Sequence, residues 1–208
     1  MSRRKYNWDE AVTHLRARCD RLAGFIDEFG PRRLPIRREG SLFSALARAV
    51  AYQQLSGKAA GTIHGRFKAL FPDGQPSAER TLDLSHDTLR SVGLSNAKAL
   101  SIRDLAEHAV AGTLPTPWQA GRMSDEELIA RLSAVRGIGP WTAQMYLIFN
   151  LGRPDVMPAT DLGVQKGVQY IYNMRRLPDP KAVTQRTRHL APFRSAASWY
   201  FWRASEWT

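Results

Sequence analysis

Hydrophobic positions recur every three or four residues along most of the chain, and no stretch alternates apolar and polar residue by residue. Trp8, Ala11, Val12, Leu15, Cys19, Leu22, Phe25, Ile26 and Phe29 share one helical face. Asn7 with Glu10 opens that helix and Gly30-Pro31 closes it, so the spacing predicts a single helix over 8–29. A basic connector, 32–38, leads to a second block: Leu42, Ala45, Leu46, Ala49 and Val50. Tyr52-Gln53-Gln54-Leu55-Ser56-Gly57 is a polar break, and Ser56 caps a further helix with Ile63, Phe67, Leu70 and Phe71 on its face. Short helices are expected near 85–92 and 95–111, followed by a loop over 112–122 that holds two prolines and Trp118. Ser124-Asp125-Glu126-Glu127 is a capping box for a helix through Leu128, Leu132 and Val135. Gly137-Ile138-Gly139 makes a tight turn, and Pro140 suits the first position of the next helix. After a loop over 152–159, Thr160 or Asp161 caps a helix through Val164, Val168 and Ile171; Asp179-Pro180 and Ala191-Pro192 open the last two. The expected fold is all-α, with about ten helices.

Composition adds a partner class. Thirty Lys and Arg against nineteen Asp and Glu give a net charge of +11 over 208 residues, which suits a polyanion such as nucleic acid. Arginine dominates, and its planar fork matches phosphate. One cysteine, Cys19, excludes an internal disulfide framework, a four-cysteine zinc site and an iron–sulfur cluster held by four cysteines. The five histidines show no metal-ligand spacing. No apolar run reaches the roughly 18 residues of a membrane span, and the basic N-terminus lacks the apolar stretch of a signal peptide. An intracellular protein, cytoplasmic or nuclear and without a membrane partner, is expected.

The segment from Leu132 to Ala143 carries the most chemistry. Two helices joined by Gly137-Ile138-Gly139 bring backbone N–H groups and a positive helix end to one spot, which suits a phosphate. An ordinary helical hairpin would read the same way. Together with the loop Gly152-Arg153-Pro154-Asp155-Val156-Met157-Pro158-Ala159-Thr160-Asp161, it resembles the helix-hairpin-helix DNA glycosylases of base excision repair, with their Gly/Pro-rich loop and aspartate. Tyr52-Gln53-Gln54-Leu55-Ser56-Gly57-Lys58, Gly93-Leu94-Ser95 with Lys98, and Pro192-Phe193-Arg194-Ser195 with Trp199-Tyr200-Phe201-Trp202 are similar to the alkylbase (3-methyladenine) branch. The four ordered motifs run from about residue 40 to the end. The chain has no room for the N-terminal mixed α/β domain of the bacterial enzyme of that branch.

The resemblance implies two helical lobes around a cleft: 39–153, ending in a hairpin at about 125–151, and 1–38 with 154–208. It implies a monomeric, monofunctional glycosylase that flips alkylated purines, such as 3-methyladenine and 7-methylguanine, out of double-stranded DNA. Asp161, 20 residues after Trp141, matches the catalytic aspartate. A carboxylate there would stabilise the oxocarbenium character of the breaking C1′–N bond and help the attacking water; a helix N-cap is its plain alternative. Trp141 stands where backbone-cutting relatives carry a Schiff-base lysine, and its flat face suits an electron-poor base. Met145, Leu162 and Leu190 align with other pocket positions, and the substitution of aromatics there bears on substrate range. Gln53, Gln54 and Leu55, with Gly137, Gly139 and Thr142, are the expected DNA contacts, Gln54 being the best match for a wedge into the stack and Leu55 the next. Carbonyls of Ser133, Val135 and Gly137 are implied ligands of a monovalent cation; no other cofactor is expected. A glycosylase for deaminated or oxidised bases, or a helix-hairpin-helix module that only binds DNA, would share much of this pattern.

Overall fold

Side-chain oxygens set most of the helix starts. In the computed structural model, which describes residues 6–30, 32–37 and 40–207, Asn7 accepts the N–H groups of Asp9 and Glu10 and opens α1 (Trp8–Arg18). Ser41, Ser56, Ser77, Ser85 and Ser95 do the same for α3 (Leu42–Tyr52), α4 (Gly57–Ala69), α5 (Ala78–Asp83), α6 (His86–Ser91) and α7 (Asn96–Val110). Both members of the expected capping box, Ser124 and Glu127, are in place at α9 (Asp125–Leu132). Pro140 is the first residue of α10 (Pro140–Phe149). Asp161 and Asp179 cap α11 (Leu162–Ile171) and α12 (Pro180–Thr187). A 3₁₀ turn (Arg188–Leu190) precedes α13 (Arg194–Ala204). Among the described residues there is no strand, and no helix is long and apolar enough to cross a membrane.

Three expectations change. The single helix over 8–29 is broken at Cys19, whose extended backbone (φ −152°, ψ 102°) separates α1 from α2 (Asp20–Phe29). The apolar spacing runs through the break unaltered, so periodicity could not see it. Residues 117–122, read as loop, form α8 (Pro117–Arg122), because Thr116 and Gln119 make a second capping box around Pro117. The last helix begins at Arg194 instead of Pro192, with Phe193 at the cap position.

The chain divides into two units, Met1–Arg37 with Leu147–Thr208, and Arg38–Tyr146. The division falls within α10 and not at the expected 153. Phe149 accounts for the difference: its ring stacks on Trp202 at 5.5 Å, the Arg37 guanidinium lies 4.5 Å over it, and its carbonyl accepts the Arg37 N–H at 2.7 Å.

In the first unit α11 packs on α13, and α1 and α2 complete the core. Leu15, Leu22, Val164, Val168, Tyr200 and Phe201 are fully buried there. A Cβ added to Gly167 would collide with the Phe201 carbonyl group and lie 2.6 Å from its Cα, so the two helix backbones meet at that glycine. In the second unit α7 is central, touched by α3, α5 and α6, with Leu46, Phe67, Leu89, Ile102 and Leu105 inside. His64, on α4, is pushed down to about 4 by burial, with Arg48 and Lys68 adding to the effect, and is neutral at physiological pH.

Candidate functional site

Asp161 occupies the N-cap of α11, where its Oδ1 accepts the Val164 N–H at 2.9 Å. The same oxygen accepts the indole N–H of Trp202 from α13 at 2.8 Å. Trp202 is itself held by the stack on Phe149, beneath Arg37. The corner between the carboxylate and the indole is closed by Gly163, where a Cβ would stand 2.9 Å from Trp202 Cδ1 and 3.1 Å from Asp161 Oδ1. In the sequence Trp202 is marked only as part of the aromatic run Trp199-Tyr200-Phe201-Trp202. Its role as a donor to Asp161 follows from the α11–α13 crossing, which local spacing does not encode.

The loop before Asp161 is pinned to the start of α13. Asp155 takes the Arg194 guanidinium at 2.7 and 2.8 Å and the Arg194 backbone N–H at 3.2 Å. Burial works to raise the Asp155 carboxyl, but the Arg194 hydrogen bonds and charge outweigh it and hold it below the ordinary carboxylate value. Ser195 N–H donates to the Pro154 carbonyl, Val156 N–H donates to Ser195 Oγ, and Ser198 Oγ donates to the Arg194 carbonyl. Asp155 is thus a structural carboxylate that anchors the loop, and Asp161 sits at the end of the anchored segment.

In the second unit, α9 and α10 form the expected hairpin. Gly137 has φ +73°, the left-handed region, and a Cβ there would run into Ser101 Oγ and lie 2.9 Å from Ser101 Cβ. Internal packing and backbone conformation therefore require glycine at 137, before any DNA is considered. Gly139 has open space where its Cβ would be, so it alone of the pair offers a bare approach from outside. The first bond of α10 runs from Ala143 N–H to the Gly139 carbonyl. The N–H groups of Trp141 and Thr142 therefore precede the helical ladder at the positive end of α10.

Two expected DNA contacts are engaged elsewhere. Gln53 Nε2 donates to the Gly137 carbonyl at 2.9 Å and to Thr142 Oγ1 at 3.1 Å, and the Thr142 side chain is buried. Neither side chain projects from the surface as a wedge would. Gln54 and Leu55 do: Gln54 holds φ +55° at the tip of the α3–α4 turn, and Leu55 is 41% exposed. Of the base-pocket set, Trp141 is 37% exposed, and Met145 lies one turn further along α10. Leu162 is 55% exposed beside Asp161. Leu190 is wholly buried, which removes it from the set: a residue with no accessible surface cannot face a ligand.

Among the described residues no group of His, Cys, Asp or Glu could hold a metal ion. The three hairpin carbonyls differ in their surroundings. Val135 accepts the Ile138 N–H at 3.1 Å and Gly137 accepts Gln53 Nε2. A carbonyl oxygen with one bond retains a second lone pair, so this all-oxygen donor set fits a hard monovalent cation in ligand type.

Residues 47–193 match the family described as HhH-GPD superfamily base excision DNA repair protein. The chain is 41% identical over 187 residues to DNA-3-methyladenine glycosylase 1 of Schizosaccharomyces pombe, covering 89% of this chain and 81% of that protein. The solved structure of the Schizosaccharomyces pombe 3-methyladenine DNA glycosylase in complex with abasic DNA superposes with a TM-score of 0.89 at 39% identity, covering 95% of this chain and 97% of that one. A DNA-3-methyladenine glycosidase structure from Bacillus halodurans gives 0.83 at 33% identity, covering 94% and 88%.

Proposed function

The chain belongs to the HhH-GPD superfamily of base excision DNA repair proteins, and from that premise we propose that it is a monofunctional DNA glycosylase that hydrolyses the N-glycosidic bond of alkylated purines in double-stranded DNA. The observation that carries the reading is Asp161, fixed at a helix N-terminus by Val164 N–H and the Trp202 indole. Its carboxylate supplies negative charge to an oxocarbenium-like C1′. The C1′–N bond breaks with its electron pair going to the base. A 3-methyladenine or 7-methylguanine base leaves neutral, since its positive charge is discharged by that pair. Water adds at C1′, and its proton passes to the carboxylate or to solvent. Trp141 presents a flat face suited to a cationic base by cation–π attraction, with Met145 beside it. Gln54 and Leu55 are the probe that fills the gap left by the flipped base. Gly139 and the first turn of α10 grip a phosphate. The carbonyls of Ser133, Val135 and Gly137 would hold a monovalent cation, which when bound would add positive charge at that grip.

The test is release of free base from duplexes carrying single alkylated, deaminated or oxidised bases. Release of 3-methyladenine and 7-methylguanine is expected. Release confined to the other classes would reassign the substrate, and binding without any release would leave a DNA-binding module.

The two hairpin glycines should separate in solution. Affinity for undamaged duplex is expected to fall steeply with salt, as phosphate contacts release counterions. Gly139→Ala, which has room for its methyl group, should fold normally and bind damaged and undamaged duplex more weakly alike. Gly137→Ala should lower the melting temperature, because it meets Ser101 and strains a positive φ. Equal behaviour of the two variants would argue against this division of roles.

Borohydride should trap no covalent adduct on alkylated duplex, and strand breaks should appear only after hot alkali. Trapping needs an amine that attacks C1′, and Trp141 has none. The Lys98 amine is engaged with the carbonyls of Ala51 and Gln53 at 3.0 and 2.8 Å, and burial lowers its pKa. A trapped adduct lost on Lys166→Ala or Lys98→Ala would overturn the monofunctional reading.

A further inference from the structure

Three side chains of α7, spaced at helical intervals, hold the end of α3 and the hairpin turn. Lys98 donates to the carbonyls of Ala51 and Gln53, Ser101 packs against Gly137, and Asp104 Oδ2 accepts the Arg136 N–H at 2.8 Å. Gln53 runs between the two held parts, with its amide on the Gly137 carbonyl and the Thr142 hydroxyl. The Gly137 carbonyl can only accept, so it fixes which end of the amide faces it. Gln53 is therefore fastened twice, by its backbone carbonyl to α7 and by its side chain to the hairpin. The next residue, Gln54, holds φ +55°, a conformation that a residue with a Cβ keeps only where its surroundings over-determine it. Leu55 follows, exposed.

We infer that Gln53 is a positioning residue that locks the Gln54–Leu55 probe to the phosphate-gripping hairpin, so that seating the hairpin on a phosphate sets how the probe enters the duplex. The inference rests on the glycosylase reading above and adds a coupling within the second unit to it. Without the side-chain link the turn keeps its tie to Lys98 but loses its tie to the hairpin, and the probe must be ordered when it enters the DNA, at the expense of binding.

The experiment compares binding of an abasic-site duplex with binding of an intact duplex, and reads 2-aminopurine placed beside the abasic position as a report of unstacking. Gln53→Met keeps the length and removes both donors. It should bind intact duplex within about twofold of wild type, while its preference for abasic duplex falls about tenfold, the effect of one or two neutral hydrogen bonds. The 2-aminopurine signal should fall with that preference. Thr142→Val should show part of the loss, and Thr142→Ser, which keeps the hydroxyl, should restore it. Equal loss on both duplexes would make Gln53 a support of the hairpin alone and overturn the lock. If Gln53→Met does not fold, Thr142→Val carries the same comparison with the same outcomes. A wild-type preference that survives both variants unchanged overturns the lock and leaves the glycosylase reading standing. A wild-type protein without any preference for the abasic duplex overturns the probe reading, and the lock with it.

Discussion

Asp161→Asn is expected to lower the single-turnover rate of base release by at least about a hundredfold, while the melting temperature and the affinity for abasic duplex stay near wild type. The magnitude is that of removing one preorganised electrostatic contact from a transition state. Asp161 Oδ1 accepts both the Val164 N–H and the Trp202 indole N–H, and an asparagine amide oxygen can accept both. Asparagine is also as good an N-cap as aspartate. The variant therefore keeps the cap, the indole contact and the shape, and loses the charge. Asp161→Ala is the contrasting case: it loses the cap as well, so stability should drop by about 1 kcal/mol along with the activity. Turnover by Asp161→Asn close to that of wild type would mean that Asp161 is a helix cap only.

Much of this was legible in the sequence, for reasons that differ from part to part. Caps are local, and Asn7, Ser56, Ser124 and Asp179 open helices where side-chain chemistry says they should. Asp161 takes the cap that Thr160 had equal claim to, because Trp202 fixes the Asp161 carboxylate from another helix. The hairpin was read from Gly137-Ile138-Gly139, yet the reason for Gly137 was hidden, since Ser101 lies 36 residues earlier in the chain. Gln53 and Gln54 look alike in sequence. One is spent on the hairpin and the other stands at a strained tip, a distinction set by the α3–hairpin contact and invisible to pattern. Leu190 was aligned by position and proves to be core, because an apolar residue at helical spacing carries no mark of which side of a wall it faces. The loop anchor, Asp155 with Arg194, was missed for the same reason as Trp202: both join residues about forty positions apart.

The crossing that brings Trp202 to Asp161 depends on one missing side chain, and Gly167→Ala should show it. In an open helix, replacing glycine with alanine stabilises by about 1 kcal/mol, because the backbone of the unfolded chain has less freedom to lose. At Gly167 the added methyl group meets the Phe201 carbonyl and its Cα at 2.6 Å, which is backbone of α13 and has no rotamer to turn away into. The helices must move apart, and Phe201, Tyr200 and Val168, all fully buried, lose contact together. Overpacking of this kind costs about 3 kcal/mol, which outweighs the helical gain. A net loss of about 2 kcal/mol corresponds to a melting temperature lower by roughly 4–8 °C in a chain of this size. Gly24 provides the opposite sign within the same fold: it lies inside α2 with nothing near its absent Cβ, so Gly24→Ala should raise the melting temperature. The separation also draws Trp202 Nε1 away from Asp161 Oδ1. Base release by Gly167→Ala should therefore fall even at temperatures where it remains folded, whereas Gly24→Ala should release base at the wild-type rate. Melting curves and single-turnover rates for the pair decide the matter. If Gly167→Ala is as stable as Gly24→Ala, the two helices are not held at that glycine, and the account of how Asp161 is positioned falls with it.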